Sequence, residues 1–269
     1  MGRGLQTPLS LRAPTLSVGA RQSYQCVIPM KTMITETDKL SCPICSMPQA
    51  AGCECLREYS DEFQHLITSR GISSLLQDSY FESSFTAWES ARKPIADFID
   101  REGSVLDVGC ANGFLLRSIQ EWAKVKIVPY GIDSNTRLVE EAKALFPNQP
   151  EHFEAVDITE KPKLPQTLPD SFDFVYWNVW DDTDFRTPES LMTLSSVLDL
   201  VKEDGEVILG FYHEDNVANQ EKIKQIQNLG ISFEQVVEIP QSSVVIGSLG
   251  KISKATIGAI RQLARMQRK

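Results

Sequence analysis

What this 269-residue chain lacks narrows its function before any motif is considered. No uninterrupted apolar run approaches the roughly 20 residues that span a bilayer, which argues against a helical membrane protein. No internal repeat is visible, so a solenoid or propeller is not expected. No secretory signal precedes the cysteines, so disulfides are not expected to carry the fold. Acidic residues are missing from both ends. Residues 1–35 carry four basic groups (Arg3, Arg12, Arg21, Lys31) and no acid, and residues 249–269 carry six (Lys251, Lys254, Arg261, Arg265, Arg268, Lys269) and no acid. Since the whole chain carries -9, taking away those +4 and +6 ends leaves -19 in the middle. A body that acidic repels polyanions at long range, so nucleic acid would have to be held by the basic ends.

What is present falls into four stretches. Residues 1–35 lack hydrophobic periodicity and are rich in Ser, Thr, Pro and Gly, the composition of a disordered or targeting extension; Met30 or Met33 could equally begin the chain. If the extension is a transit peptide the protein is organellar, and otherwise cytoplasmic. Residues 36–77 hold Cys42, Cys45, Cys53 and Cys55 in "CPICSMPQAAGCEC". That spacing suits a small tetrahedral zinc knuckle, with His65 as a substitute ligand; reduced thiols or a redox pair are the alternatives. Residues 78–248 form the main domain, and residues 249–269 a basic C-terminal helix.

In the main domain, short apolar strands alternate with amphipathic helices. Strands are expected in "VLDV", "KIVPYGID", "HFEAVDI", "SFDFVYW", "GEVILGFY", "ISFEQVVEI" and "SVVIGSLG", the last two as an antiparallel pair around Pro240-Gln241. Helices are expected over Phe114–Ala123, over "SNTRLVEEAKALF", over "SLMTLSSVLDLV" ending near "EDG", and over "EKIKQIQNLG" up to Gly230. A helical segment before the first strand is broken by Pro94. Such alternation demands an α/β fold with a mostly parallel, doubly wound sheet and helices on both faces. Ligands of such sheets bind at the carboxyl ends of the strands.

The glycines of "VLDVGCANG" lie at that place. A dinucleotide fingerprint starting at Gly109 would need glycine at 111 and 114, where Ala111 and Phe114 stand, and a bulky Phe114 would crowd a pyrophosphate. A phosphate loop would need a Gly-Lys-Ser/Thr ending, and none exists. The pattern that remains, Asp107-x-Gly109-x-Ala111-x-Gly113, resembles the first motif of the class I S-adenosylmethionine-dependent methyltransferases, with Ala111 for the usual middle glycine. Asp133 ends the second strand and Asp157 the third, where that family holds the ribose and the adenine, and "SFDFVYWNVW" resembles its fourth motif.

The resemblance implies a Rossmann-like sheet of seven strands with the last antiparallel, and S-adenosylmethionine as cofactor. It implies a cofactor site of Asp107, Gly109, Cys110, Ala111, Gly113, Asp133, Ser134, Asp157, Ile158 and Asn178. One carboxylate accepting both ribose hydroxyls is a chemically sensible use of Asp133. Asp181, His213 and Tyr80 are the candidates for a catalytic group, with Trp180 and Asp182 beside them. The fourth motif lacks the prolines that nucleic-acid amino-methylating enzymes carry after the asparagine. A small-molecule acceptor is therefore favoured, with RNA held by the cysteine-rich segment and basic tail as the rival enzyme reading. A cofactor-binding interaction protein is the non-enzyme alternative. The aromatic segment "DSYFESSFTAWESARK" is expected to cover the cofactor, with Tyr80 and Trp88 near the acceptor.

Overall fold

The computed structural model describes Cys55 and residues 58–76, 84–160, 164–240 and 242–268. Seven strands form one sheet: β1 (Gly103–Val108), β2 (Ile127–Asp133), β3 (Phe153–Ala155), β4 (Phe172–Val179), β5 (Val201–Phe211), β6 (Phe233–Glu238) and β7 (Val245–Leu249). Their order across the sheet is β3-β2-β1-β4-β5-β7-β6. β1 to β5 pair in parallel, and β7 runs antiparallel between β5 and β6. The chain moves outward from β1 through β2 to β3 and then returns to β4, so the strand order reverses between β1 and β4, where such sheets open a binding crevice.

The period-two alternation of each central strand feeds two cores. Leu106, Val108, Val175, Trp177, Val179, Val207, Leu209 and Phe211 face one side, with helices α6 (Pro188–Asp199), α7 (Asn216–Asn228) and α8 (Lys254–Gln267). Val105, Phe174, Tyr176 and Ile208 face the other, with α4 (Phe114–Trp122), α5 (Thr136–Leu145) and the 3-10 segment Lys93–Phe98. Burial on both faces is why these strands read as nearly continuous apolar runs.

A third cluster lies over the start of α4. Helices α1 (Asp61–Arg70), α2 (Ile72–Leu76) and α3 (Phe85–Arg92) bring Tyr59, Phe63, Ile67, Leu75, Leu76, Phe85 and Trp88 against Phe114. The rings of Phe63 and Phe114 lie parallel with centroids 5.9 Å apart, and Trp88 stacks on Phe114 at 5.0 Å. Polar ties reinforce the packing: Glu121 accepts from the amide and hydroxyl of Ser60 and from Arg117.

Three boundaries differ from the sequence reading. The third strand is only Phe153–Ala155, because Pro150 starts a 3-10 turn before it and the Asp157 side chain folds onto Thr159 after it. The helix expected to run through Val201 ends at Asp199. "EDG" then lies inside β5, where the register to β4 jumps from Phe172↔Val201 to Phe174↔Glu206. Gly205 permits that bulge, since a Cβ there would sit 2.8 Å from the Asp173 carbonyl oxygen. Pro94 converts the helix before β1 to 3-10 geometry rather than ending it.

Phe114 joins the amino-terminal helices to the sheet. Phe114→Ala should lower unfolding stability by about 3–5 kcal/mol in urea titrations, with amide exchange accelerated in α1 and α2. A loss under about 1 kcal/mol would show that this cluster is not cooperative with the body.

Candidate active site at the carboxyl ends of the strands

The loop after β1 is built from alternating left-handed residues: Gly109 at φ 81°, Ala111 at 47° and Gly113 at 77°. Ala111 is the one non-glycine residue with positive φ among the described residues, a conformation costing about 1–2 kcal/mol for an L side chain. The Asp133 carboxylate offsets that strain by accepting the Ala111 amide at 2.9 Å on one oxygen and the Asn135 amide at 2.8 Å on the other. Gly113 opens α4 because a Cβ there would lie 3.0 Å from the Ala142 Cβ. Gly109 has a different reason. Its missing side chain would project toward the crevice, where the nearest atom is Trp180 Nε1 at 3.7 Å.

These loops enclose a cavity of about 310 Å³. Asp107, Gly109, Cys110, Ala111, Asp133, Ser134, Asp157, Ile158 and Asn178 all border it; of the ten expected cofactor residues only Gly113 does not. Asp157 also has a structural task, since one of its oxygens accepts both the amide (2.9 Å) and the hydroxyl (2.6 Å) of Thr159. Asn112 couples the loop to the helical cover: its side chain donates to the Leu75 carbonyl at 3.0 Å and accepts from the Phe114 amide at 3.1 Å. The Phe114 side chain turns into the aromatic cluster and is 1% exposed, so it walls the cavity at the start of α4.

A second cavity of about 540 Å³ adjoins the first, bordered by Arg92, Asn178, Val179, Trp180, Asp181, Asp182 and Tyr212. Arg92, Asn178 and Trp180 border both. The loop after β4 is held from α7, whose buried face carries Asn219, Lys222 and Gln225 at three-residue spacing. Lys222 Nζ donates to the carbonyls of Trp180 (2.7 Å) and Asp181 (3.0 Å), and Gln225 accepts the Phe185 amide at 2.9 Å. Burial lowers the Lys222 pKa, and Asp181 and Asp182 oppose that shift.

Of the catalytic candidates, Asp181 borders the second cavity. His213 borders neither, and its Nδ1 accepts the Asp215 amide at 3.0 Å while its backbone is clamped by Asn219. Tyr80 lies outside the described residues. So do Cys42, Cys45 and Cys53 of the expected zinc knuckle, whose fourth member, Cys55, is half-buried in a turn. The sequence reading missed Arg92, Asn112, Tyr176, Tyr212 and Lys222. The available signal was a polar residue where periodicity demands an apolar one: Arg92 follows Trp88 by four on α3, and Lys222 interrupts the buried face of α7.

Asp107 is 2% exposed at the end of β1. Burial and then the nearby Asp133 charge push its pKa up to about 7, with Arg92 pulling the other way. An acid with a raised folded pKa contributes stability that is full below its unfolded value of about 4 and is lost as pH rises through about 7. Unliganded protein should therefore lose on the order of a few kcal/mol across that window, and Asp107→Asn should flatten the loss. Parallel urea midpoints for both proteins from acid to neutral pH would show that Asp107 ionises normally.

Residues 99–249 match the sequence model of a family described as a methyltransferase domain. No curated protein matches the chain. Among solved structures, a SAM-dependent methyltransferase from Aquifex aeolicus is 19% identical, with 62% of this chain and 93% of that one covered and a TM-score of 0.47. The N-methyltransferase NodS of Bradyrhizobium japonicum WM9 is 13% identical over 64% of this chain and 99% of that one, at a TM-score of 0.47. The fibrillarin pre-rRNA processing protein of Methanococcus jannaschii is 16% identical over 62% and 77%, at 0.46. Likeness at these levels says nothing about an acceptor.

Proposed function

Because the chain belongs to the class I S-adenosylmethionine-dependent methyltransferases, we propose that it methylates a small-molecule acceptor and that the first cavity holds the methyl donor. The observation that carries this reading is the convergence of Asp107, Asp133 and Asp157, from three strand ends, on the backbone cradle of Gly109–Gly113. The cradle is open where a Cβ at Gly109 would project, which fits a ligand that must touch backbone.

When bound, S-adenosylmethionine supplies an electrophilic methyl group carried on a sulfonium. The chain's own residues bind, orient and exclude water. The amides of Gly109, Cys110, Ala111 and Gly113 are already donated within the chain, so the carboxylate of the methionine tail is left to the first turn of α4, whose amides lack partners within the helix, and Asp107 suits its ammonium. Asp133 already accepts two amides, and each of its oxygens keeps a further lone pair for a ribose hydroxyl. Asp157 offers the adenine amino group the oxygen that Thr159 does not use, beside the Ile158 backbone. Alignment of a nucleophile behind the methyl falls to Asn178 and Trp180, which border both cavities. Asp181, at the exposed rim, is the candidate proton acceptor for a hydroxyl or ammonium nucleophile.

The small-molecule reading is supported by the second cavity and by the use made of the basic tail. Lys251 pairs with Asp204, Lys254 and Arg261 with Asp199, and Arg268 with Glu189, so four of its six cations face the body's own acids. That leaves few of them to grip a phosphate backbone.

Calorimetry with S-adenosylhomocysteine tests the cofactor site. Asp133→Ala removes two charge-assisted hydrogen bonds worth roughly 1.5–3 kcal/mol each, so affinity should fall by about a hundredfold or more, with the protein still folded by circular dichroism. Unchanged affinity would refute the assignment. Labelled cofactor incubated with the protein and cell extract should leave its methyl in the small-molecule fraction; label confined to RNA would reverse the choice of acceptor.

A further inference from the structure

Arg92 is the only basic side chain among the described residues that border either cavity, and it borders both. It is 5% exposed at the end of α3. Its guanidinium carbon lies 4.5 Å from the centroid of the Tyr212 ring and 5.5 Å from that of Trp88. Tyr212 is bound in turn to β4, since the Tyr176 hydroxyl donates to the Tyr212 hydroxyl at 3.1 Å. That contact depends on Gly210, where a Cβ would lie 2.5 Å from the Tyr176 hydroxyl and 2.5 Å from the Tyr212 side chain. A helix end and two strands thus build a rigid polar wall, positive at depth, where the two cavities meet.

We infer that this wall is the acceptor-recognition site and that it selects a small molecule carrying a carboxylate, seated on Arg92 and the Tyr212 hydroxyl. The inference rests on the reading that the first cavity holds the methyl donor. Two acids, Asp181 and Asp182, also border the second cavity, but both are exposed, and the buried Lys222 ammonium lies beside them. Coulomb interactions at a solvated rim are several-fold weaker than those in a desolvated wall; the buried Asp107, which Arg92 also faces, is matched by the donor's ammonium when the first cavity is filled, so Arg92 sets the sign of charge accepted at depth. A planar guanidinium matches a carboxylate with two parallel hydrogen bonds, which fixes orientation as well as charge. A zwitterionic acceptor could use both ends, its carboxylate on Arg92 and its ammonium toward Asp181.

Matched acid and amide pairs test this on the full chain saturated with S-adenosylhomocysteine: benzoate with benzamide, and 4-hydroxybenzoate with 4-hydroxybenzamide, followed by ligand-observed NMR and calorimetry. The expected result is that an acid binds roughly tenfold or more tightly than its amide, and that Arg92→Gln removes the preference while S-adenosylhomocysteine affinity is retained. If that variant fails to fold, Tyr212→Phe carries the variant arm with a smaller loss of preference; the wild-type comparison needs no variant. Equal binding of acids and amides, or no binding of any of the four, overturns the inference while the cofactor reading stands. Failure of S-adenosylhomocysteine itself to bind overturns both. A separate control measures S-adenosylhomocysteine against 5′-methylthioadenosine, which lacks the amino-acid tail. If Arg92→Gln abolishes the protein's preference for the former, the arginine serves the cofactor's carboxylate, and the acceptor assignment is wrong.

Discussion

One carboxylate, Asp133, holds the crevice in shape. Its two oxygens accept the amides of Ala111 and Asn135, which belong to the loops after β1 and β2. The first bond holds a left-handed alanine that would otherwise relax, and the second starts α5 at the right angle. Without it the loop after β1 loses a charged partner that fixes its curvature. In the proposed cofactor site this scaffold residue would also serve as a ligand, as would Asp157, which is tied to Thr159. The common choice between a structural and a functional aspartate is a false one here, because an oxygen has more than one lone pair.

A second constraint comes from outside the sheet. The loop after β4 has no strand to rest on, and α7 holds it through buried Lys222 and Gln225, while Asn219 holds the turn after β5. The loop after β1 is held from the opposite side, where Asn112 reaches the Leu75 carbonyl of α2. The loops that border the two cavities are thus tied by polar side chains to helices outside the sheet, α7 on one side and α2 on the other. A buried polar group is tolerated only when its hydrogen bonds are made, so each such contact locks one loop conformation.

The sheet, its two cores and the bottom of the crevice were legible in the sequence because they follow from local rules. Nearly continuous apolar runs such as "FDFVYWNV" mark strands buried on both faces, and glycines at 109 and 113 mark positive φ. The bulge in β5 was not legible, since "EDG" reads as a turn by composition and becomes part of a strand only through its pairing with β4. Arg92 and Lys222 escaped for a related reason. Helical spacing places both on inward faces, but the environments that hold their charges there are assembled from residues distant in the chain. His213, a catalytic candidate by its place near a strand end, has one ring nitrogen accepting the Asp215 amide at the start of the next helix.

The loops tied by Asp133 and Asp157 are the proposed seat of the methyl donor. Backbone-amide NMR of the labelled full chain during titration with S-adenosylhomocysteine addresses it directly, since the amides of Ala111, Asn135 and Thr159 donate to those carboxylates. A ligand hydrogen-bonding to either oxygen of these carboxylates redistributes charge over the whole group and so changes the bonds it already accepts. These three amides, with Gly109 and Gly113, should shift most and saturate together at one ligand per chain. Shifts centred elsewhere, or resonances of Ala111, Asn135 and Thr159 that stay fixed at saturation, would contradict it.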